Sequence, residues 1–279
     1  DIAGNPILNE DIADNRDFDR AFVLLGVGLS YKPVKSIEVY GNISQNYRSV
    51  TFNDIRITNP SLVVDPNITD EQGYTFDLGT RGRFGKYLSY DIGGFYLSYQ
   101  DRLGVIVREV SDIQEERFRG NIGDAVTYGL ESFVDWNIME TFSANRNFRM
   151  NYFVNLALTD SEYTSSEENN VEGNKVEFIP AINLKTGLGF GYKNFLGSLQ
   201  YATNSKRDFE SQSGIVGEIP AYDILDLSLA YTFGRFKLES GINNVLDNSY
   251  FTRRATGYPG PGILPSQPRT WYATLQIKL

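Results

Sequence analysis

The sequence predicts an all-β protein whose antiparallel strands form a transmembrane β-barrel. Three observations support this fold class. Apolar and polar residues alternate along most of the 279-residue chain, which is the pattern of strands that carry one apolar face. Most of the predicted strands reach about ten residues, the length that crosses a bilayer at a tilt. The connections between them are alternately short and long, as in barrels with tight turns on one side of the membrane and extended loops on the other.

The first six predicted strands span residues 21–31, 36–50, 72–83, 87–101, 117–136 and 147–160. In the third, Phe76 and Leu78 share one face, and Arg81 lies on the other. In the sixth, the face of Tyr152 opposes the face of Asn155. Because successive side chains of a strand point to opposite sides, each of these strands presents one face to lipid and one to the barrel interior.

The last five predicted strands span residues 180–192, 195–205, 222–233, 235–246 and 270–279. The seventh sets Leu188 and Phe190 against Lys185, and the eleventh sets Leu275 against Lys278. Aromatic residues, which make up 14% of the chain, are expected to form girdles at the membrane interfaces. The girdle candidates are Tyr31, Tyr40, Tyr47, Tyr87, Tyr192, Tyr231 and Trp271.

The connections predict the direction of the strands. Short ones are expected at 32–35, 84–86, 193–194 and Gly234, with a longer member at 137–146. Long ones are expected at 51–71, 102–116, 160–179, 205–221 and 247–269. The last strand follows a long loop, which places the C-terminus on the periplasmic side. Since single-chain bacterial barrels have an even number of strands, eleven strands predict an odd number upstream, and residues 1–279 are interpreted as one incomplete domain.

Composition narrows the possible functions. The net charge of −9 argues against nucleic acid as a partner. The chain has no His, the commonest general base, and no Cys, so an enzyme is not expected. Its acidic pairs lack the spacing of an EF-hand loop, and no metal site is predicted. No run of eighteen apolar residues could form a membrane-spanning helix.

The segment from Gly241 to the C-terminus carries the most specific motif. It has the pattern Asn-Val-Leu-Asp-x-x-Tyr, and an Arg-Thr-Trp tripeptide then opens the last strand. The matching residues are Asn244, Val245, Leu246, Asp247, Tyr250, Arg269, Thr270 and Trp271. This pattern resembles the end of the TonB-dependent outer-membrane receptors. The run Phe251–Gly262 resembles the ferric-dicitrate receptor branch of that family.

The resemblance implies a protein of the bacterial outer membrane with 22 strands around an N-terminal plug, of which this chain is about the C-terminal half. The plug and the TonB box are absent from the chain, so its own plug domain and the TonB complex are implied partners. Outer-membrane lipid, including lipopolysaccharide, is a further one. The implied function is active import of a ferric chelate such as citrate, with no covalently bound cofactor. The chain departs from the family in ending at Leu279, where an aromatic residue is usual.

Two sets of residues are candidate sites. In the last long loop, Tyr250, Arg253, Arg254 and Tyr258 combine aromatic rings with guanidinium groups, which bind carboxylates through paired hydrogen bonds. A ferric-citrate complex is rich in carboxylates. The alternative is that the arginines pair with loop acids or with lipopolysaccharide. The second set faces the interior, as packing against the plug or as part of the transport path. It consists of Arg81, Lys185, Lys237 and Glu239.

Other functions remain open at this point. A glycan importer of the same superfamily would bind neutral sugars through stacked aromatic rings and Asn or Asp. A passive porin would need neither a plug nor large ligand loops. A soluble adhesion protein is disfavoured, because an open eleven-stranded sheet would expose two edges to aggregation.

Overall fold

The computed structural model describes residues 19–57, 62–111, 114–142, 147–207, 218–255 and 262–278. This part of the chain is almost entirely β-structure, with two short helices. The strands are β1 (Gly26–Val34), β2 (Ile37–Arg48), β3 (Leu62–Val64), β4 (Glu71–Phe84), β5 (Leu88–Ser111), β6 (Gln114–Asn137), β7 (Phe148–Ser165), β8 (Ile182–Tyr192), β9 (Phe195–Asn204), β10 (Tyr222–Phe233), β11 (Phe236–Asn243), β12 (Phe251–Ala255), β13 (Gly262–Pro265) and β14 (Thr270–Ile277). The helices are α1 (Phe52–Ile55) and α2 (Ile138–Phe142). Neither is long and apolar enough to cross a membrane.

Eleven of the strands form one antiparallel meander in the order β1-β2-β4-β5-β6-β7-β8-β9-β10-β11-β14. The short strand β3 pairs in parallel with β6, and β12 and β13 form a separate ribbon. All eleven predicted strands lie in the large sheet, so the all-β antiparallel fold class is confirmed. Within the described residues the sheet is not closed, since β1 and β14 are its two edges.

The sheet has two chemically distinct faces. On the apolar face, Ile43 pairs with Phe76, Phe76 with Tyr96, and Tyr96 with Tyr128. One residue along, Asn42 pairs with Asp77 on the polar face. Apolar-face side chains lie open at the surface, as Leu78 does with 67% exposure and Leu130 with 59%. Such a surface suits lipid, and the polar face suits the lumen of a barrel.

The strands have a turn end and a loop end. At the turn end, short connections join β1 to β2, β4 to β5, β8 to β9 and β10 to β11. Aromatic rings pack together there on the apolar face. The ring centroids of Phe148 and Tyr192 lie 4.6 Å apart, and those of Phe233 and Phe236 lie 5.4 Å apart. This clustering is the arrangement of a membrane-interface girdle.

The girdle candidate Tyr40 is not on the apolar face. Tyr40 lies on the polar face, where its hydroxyl donates a hydrogen bond of 2.8 Å to Asp91. The reason is register, because Tyr40 has the same parity in β2 as Glu38 and Asn42. Tyr31 and Trp271 do lie on the apolar face, with 70% and 73% exposure.

Aromatic rings on the polar face lie across glycines of the neighbouring strand. Tyr40 pairs with Gly79, and Phe153 pairs with Gly187. A Cβ placed on Gly187 would lie 2.5 Å from the Phe153 ring, so a larger residue cannot enter without displacing the ring. The glycines therefore give the rings room to lie flat against the sheet.

The predicted loop at 102–116 is wrong, because β5 and β6 continue through it as one tall hairpin. A bulge interrupts the ladder at the level of Asp101 and Gly123, which have φ angles of 55° and 142°. Beyond the bulge, Ile106 and Phe118 pair with each other. The β-branched run at 105–107 thus continues the ladder outside the lipid-facing rows.

A compact apolar cluster closes the loop end beside this hairpin. It contains Ile106, Phe118, Ile122, Ala125, Tyr163, Val171 and Val176, with Ile179 packed against it. Beside it, Arg102 donates to the Tyr163 hydroxyl at 3.1 Å and to Glu177 at 3.2 Å. Tyr163 in turn donates to Glu177 at 2.8 Å. This triad, with Tyr163 buried and Arg102 and Glu177 partly buried, ties the connection after β7 to β5.

Replacing Tyr163 with Phe should loosen that connection. The change leaves Arg102 and Glu177 without their shared partner while keeping the ring, and an unsatisfied buried polar group costs about 1–3 kcal/mol. We expect faster hydrogen exchange and easier proteolysis at residues 166–179, measured by mass spectrometry on detergent-solubilised protein. Tyr128→Phe is the matched control, since the Tyr128 hydroxyl bonds to Asp160 at an exposed position. Equal exchange rates in both variants would contradict a structural role for the triad.

The strand before the last ends at a buried asparagine. Asn244, only 2% exposed, has a φ of 53° and turns the chain away from the ladder. Its side chain accepts from the Asn248 N–H at 3.1 Å and donates to the Asn248 carbonyl at 2.9 Å. Asp247 then accepts from the Arg269 N–H at 3.1 Å. This turn ends the predicted strand 235–246 early and connects the Asn and Asp of the motif to the start of β14.

Asn244→Ala should lower the stability of the loop end by about 1–3 kcal/mol, because it removes buried hydrogen bonds and replaces Asn, which tolerates positive φ, with a residue that tolerates it less well. Thermal unfolding in detergent measures the loss. Asn243→Ala is the neighbouring control, because Asn243 is exposed and makes one long contact to Thr270. Asn244→Gly should recover part of the loss, since glycine tolerates the φ angle. A melting temperature unchanged by Asn244→Ala would rule out this role.

Residues 20–22, before β1, are held by contacts to the Asp70 carboxylate and to Tyr47 rather than by backbone pairing between strands. Arg20 bonds to Asp70 at 2.7 Å, and Asp70 also accepts from Tyr47 and from the Val50 N–H. Phe22 stacks on Tyr47 with ring centroids 4.1 Å apart. These side-chain contacts hold residues 20–22 beside the end of β2 without ladder pairing, and the predicted strand 21–31 begins only at Gly26.

The pKa of Asp70 makes this attachment depend on pH. Burial by itself would raise this pKa, but hydrogen bonds from Arg20, Tyr47 and Val50 outweigh it and hold the pKa below its ordinary value. A depressed carboxyl pKa contributes stability that is present above about pH 4 and lost as the pH falls through the folded-state value. We expect protection factors for residues 19–25, from hydrogen exchange, to fall below that pH.

Asp70→Asn should reproduce the loss at neutral pH, because the amide keeps the shape but not the charge. Asp65→Asn is the control on the same connection. Protection that is independent of pH in the unmodified protein would contradict the assignment to Asp70.

Candidate binding site at the loop end of the polar face

A cluster of aromatic and cationic side chains lies where the polar face reaches the loop end. We call Arg207, Tyr222, Tyr250, Phe251 and Arg254 the loop-end cluster. Tyr222 is the first residue of β10, and its ring stacks on that of Tyr250 with centroids 4.8 Å apart. The guanidinium carbon of Arg207 lies 5.9 Å from the Tyr222 ring, and that of Arg254 lies 5.2 Å from the Phe251 ring.

The local sequence explains why these residues meet. After the Asn244 turn, Asn248 donates to the Asp223 carbonyl at 2.9 Å, which brings the chain back beside the start of β10. Tyr250 accepts at its carbonyl from the Ser266 N–H at 3.0 Å. Because both strands of the β12–β13 ribbon follow from this point, the turn fixes where the last loop leaves the sheet.

Arg254 has one satisfied and one unsatisfied nitrogen. Its Nη2 donates to the Glu218 carbonyl at 2.9 Å. Its Nε is buried and has no hydrogen-bond partner among the described residues. Asn204, whose amide donates to the Tyr222 hydroxyl at 2.7 Å, likewise has an unpartnered buried oxygen within the described parts of the chain. Buried polar atoms normally have a partner, so the Arg254 Nε–H can donate to, and the Asn204 oxygen can accept from, a group outside the described residues.

Arg207 supports the same region from the other connection. Its Nη2 donates to the Thr252 carbonyl at 3.0 Å, and its backbone pairs with Ile219. Nearby, Lys206 and Glu218 form an ion pair of 2.6 Å. The sequence offered no local signal for Arg207, Asn204 or Tyr222. Only the pairing of β9 with β10 brings them to the last loop.

The four loop residues predicted to bind ligand have different environments. Tyr250 and Arg254 belong to the loop-end cluster. Arg253 is exposed on β12, where it pairs with Leu264. Tyr258 lies outside the described residues. Ligand contact by any of them remains a prediction.

The four predicted interior residues all lie on the polar face. Arg81 pairs with Glu38 at 2.9 Å, and its guanidinium lies 5.3 Å from the Tyr40 ring. Lys237 forms an ion pair with Glu239. Lys185 is exposed, with Asn155 and Ala202 beside it in register. Their expected contacts with a plug or with cargo remain predictions.

The described residues contain no group of three or more His, Cys, Asp or Glu side chains placed to hold a metal ion. The loop-end cluster instead brings together guanidinium groups and aromatic rings. Guanidinium groups bind carboxylates, and aromatic rings exclude water around them.

A protein-family model matches this chain over residues 4–245 and is described as TonB dependent receptor-like, beta-barrel. Several solved structures share the fold. The ferric citrate transporter FecA, in its unliganded form, superposes with a TM-score of 0.72 at 22% identity, over 91% of this chain and 38% of that one. The ferric yersiniabactin uptake receptor FyuA from Yersinia pestis gives 0.70 at 19% identity, over 91% and 36%. The copper transporter OprC gives 0.70 at 17% identity, over 90% and 38%.

These similarities establish a shared fold. At such identities the cargo of one protein does not transfer to another. The chain spans less than two fifths of the length of each of these three proteins.

Proposed function

The chain belongs to the TonB-dependent receptor β-barrel family, and on that premise we propose that it forms part of an outer-membrane importer of an anionic ferric chelate of the citrate type. Members of this family are receptors of the bacterial outer membrane rather than enzymes. The observation that supports the proposal is the loop-end cluster, in which the Arg254 Nε is buried without a hydrogen-bond partner among the described residues and the guanidinium carbon lies 5.2 Å from the Phe251 ring.

The chemistry of the cluster favours a carboxylate-bearing chelate. A guanidinium remains charged at all working pH values and binds a carboxylate through two parallel hydrogen bonds. Arg253 adds a second, exposed cation on the next residue. The chain has no His or Cys and two Met, so it offers few side chains that bind a bare soft metal ion, and the proposed cargo is the intact chelate.

The remaining parts of the proposed importer are those expected of a member of this family. The polar face, with Arg81, Lys185, Lys237 and Glu239, serves as the wall against which a plug packs. Energy for release of the cargo comes through TonB. The apolar face contacts outer-membrane lipid, including lipopolysaccharide.

Ferric citrate binding tests the cluster directly. On the complete receptor in detergent, Arg254→Gln should weaken binding of radiolabelled ferric citrate about tenfold or more, because a hydrogen bond to a charged group contributes about 1.5–3 kcal/mol. Arg253→Gln should have a smaller effect, since its side chain is exposed. Arg254→Lys keeps the charge but loses the paired N–H donors of the guanidinium, so its affinity for ferric citrate should lie between those of Arg254→Gln and the unmodified receptor. Equilibrium dialysis provides the affinities.

The control is Arg235→Gln, in the turn between β10 and β11 at the opposite end of the strands, which should bind normally. Normal ferric citrate affinity in Arg254→Gln would overturn the role of the cluster. Uptake of iron from ferric citrate by cells should also stop when TonB is deleted. Uptake that continues without TonB would favour a passive barrel, and binding of neutral oligosaccharides in place of ferric citrate would favour a glycan importer.

A further inference from the structure

A polar pocket with a volume of about 480 Å³ lies at the turn end of the polar face. Its walls are the β4–β5 turn and the adjoining ends of β6 and β7. The side chains that define its chemistry are Arg83, Lys86, Asp135, Asn137, Arg149 and Asn151. The loop-end cluster lies at the other end of the strands, so the two sites share no residue.

The pocket is cationic in an acidic protein. Three cationic side chains line it against one carboxylate, that of Asp135, whereas the whole chain carries a net charge of −9. Arg83 pairs in register with Ser89, which in turn pairs with Asp135, so all three lie on the polar face. No ion pair joins Arg83, Lys86 or Arg149 to any described carboxylate.

The pocket is also held in shape by its backbone. Arg149 donates to the Lys193 carbonyl at 3.0 Å, which anchors its guanidinium across the next turn. The Asn137 N–H donates to the Tyr87 carbonyl at 2.6 Å and closes the wall between β5 and β6. The Asn137 side-chain oxygen accepts from the Glu140 N–H at 3.1 Å, which leaves its amide group to donate.

We propose that this turn-end pocket binds a small anion that carries carboxylate or phosphate groups. Two guanidinium groups and an ammonium group supply charge-assisted hydrogen bonds, and two asparagine amides supply neutral ones. The volume lies within the range of small-molecule sites, roughly 300–1,000 Å³. Carboxylates and phosphates match the guanidinium fork equally well, so both belong to the proposed class.

The site goes beyond the proposed import function, because it binds an anion at equilibrium whether or not iron crosses the membrane. In an importer of an anionic chelate, it would provide a second anion-binding site, at the end of the lumen opposite the loop-end cluster. Its cations raise the local concentration of anions by attraction that salt weakens.

Equilibrium dialysis of the complete receptor in detergent tests the site, with iron-free radiolabelled citrate in one arm and inorganic phosphate in the other. To separate the two ends, the measurements use a background of Arg253→Gln and Arg254→Gln. We expect saturable binding of at least one anion, weakened about a hundredfold by Arg83→Gln combined with Arg149→Gln, since each removes a charge-assisted bond. Arg149→Lys, which keeps the charge, should lose less. Raising the salt from about 0.05 M to about 0.5 M should weaken binding.

Arg235→Gln is the matched control, because Arg235 lies at the same end of the sheet but does not line the pocket. Binding that is saturable, sensitive to the Arg83 and Arg149 changes and insensitive to Arg235→Gln supports the site. The two arms show which anion it prefers. If neither anion binds, the proposal is overturned. This holds also if the reason is that an acidic segment of the receptor already fills the pocket. So does binding that the double change leaves unaltered. Ferric citrate affinity at the loop-end cluster is measured separately, so neither result decides the other.

Discussion

The whole structure depends on one constraint, which is that every backbone N–H and C=O in hydrocarbon needs a partner. An unsatisfied peptide group there costs several kcal/mol, so the chain crosses as paired strands whose ladder is continuous. Once the ladder is fixed, parity alone decides which side chains meet lipid. Tyr31 and Tyr40 illustrate this, since they pair with neighbouring strands in the same ladder but lie on opposite faces. The register of the strands therefore determines which side chains line the lumen.

Beyond the lipid-facing rows the backbone is no longer in hydrocarbon, and side-chain packing and polar contacts stabilise the chain there. At the bulge beside Gly123 the ladder is reset, and the tall β5–β6 hairpin is stabilised by a compact apolar cluster instead of by lipid. Polar anchors complete it, with Tyr163 bound between Arg102 and Glu177. The loop-end cluster depends on the same kind of anchor. The Asn244 turn returns the chain to β10, and the aromatic stack follows from that return.

The sequence predicts the parts of this fold that are encoded locally. Two-residue alternation is a local property, and all eleven strands of the antiparallel meander were predicted from it, whereas the short strand β3 was not. The boundary at 101–102 failed because the ladder continues past a bulge, and a bulge restarts the alternation out of phase. Helix α1 was missed although Thr51 and Asp54 form a capping box, since four residues are too few for helical periodicity.

The same distinction applies to the candidate site. Tyr250 and Arg254 were found because they belong to a contiguous motif. Tyr222 and Arg207 were not, because their contacts to residues 250–252 join positions at least 28 residues apart and depend on the packing of two loops. The turn-end pocket has the same origin. Arg83 and Arg149 come from different strands, and neither is part of a recognisable pattern.

The flat rings over glycine on the polar face have a consequence for how this barrel wall can vary. Where Phe153 covers Gly187 and Tyr40 covers Gly79, the lining is one ring thick, and the ring hides the backbone beneath it from the channel. The width available to a passing solute therefore depends both on the aromatic residue that lines the channel and on the glycine beneath it. Changing the glycine alone would tilt the ring inward and narrow the passage. A substitution at either position therefore changes the space left by the other, so the two positions affect the passage jointly.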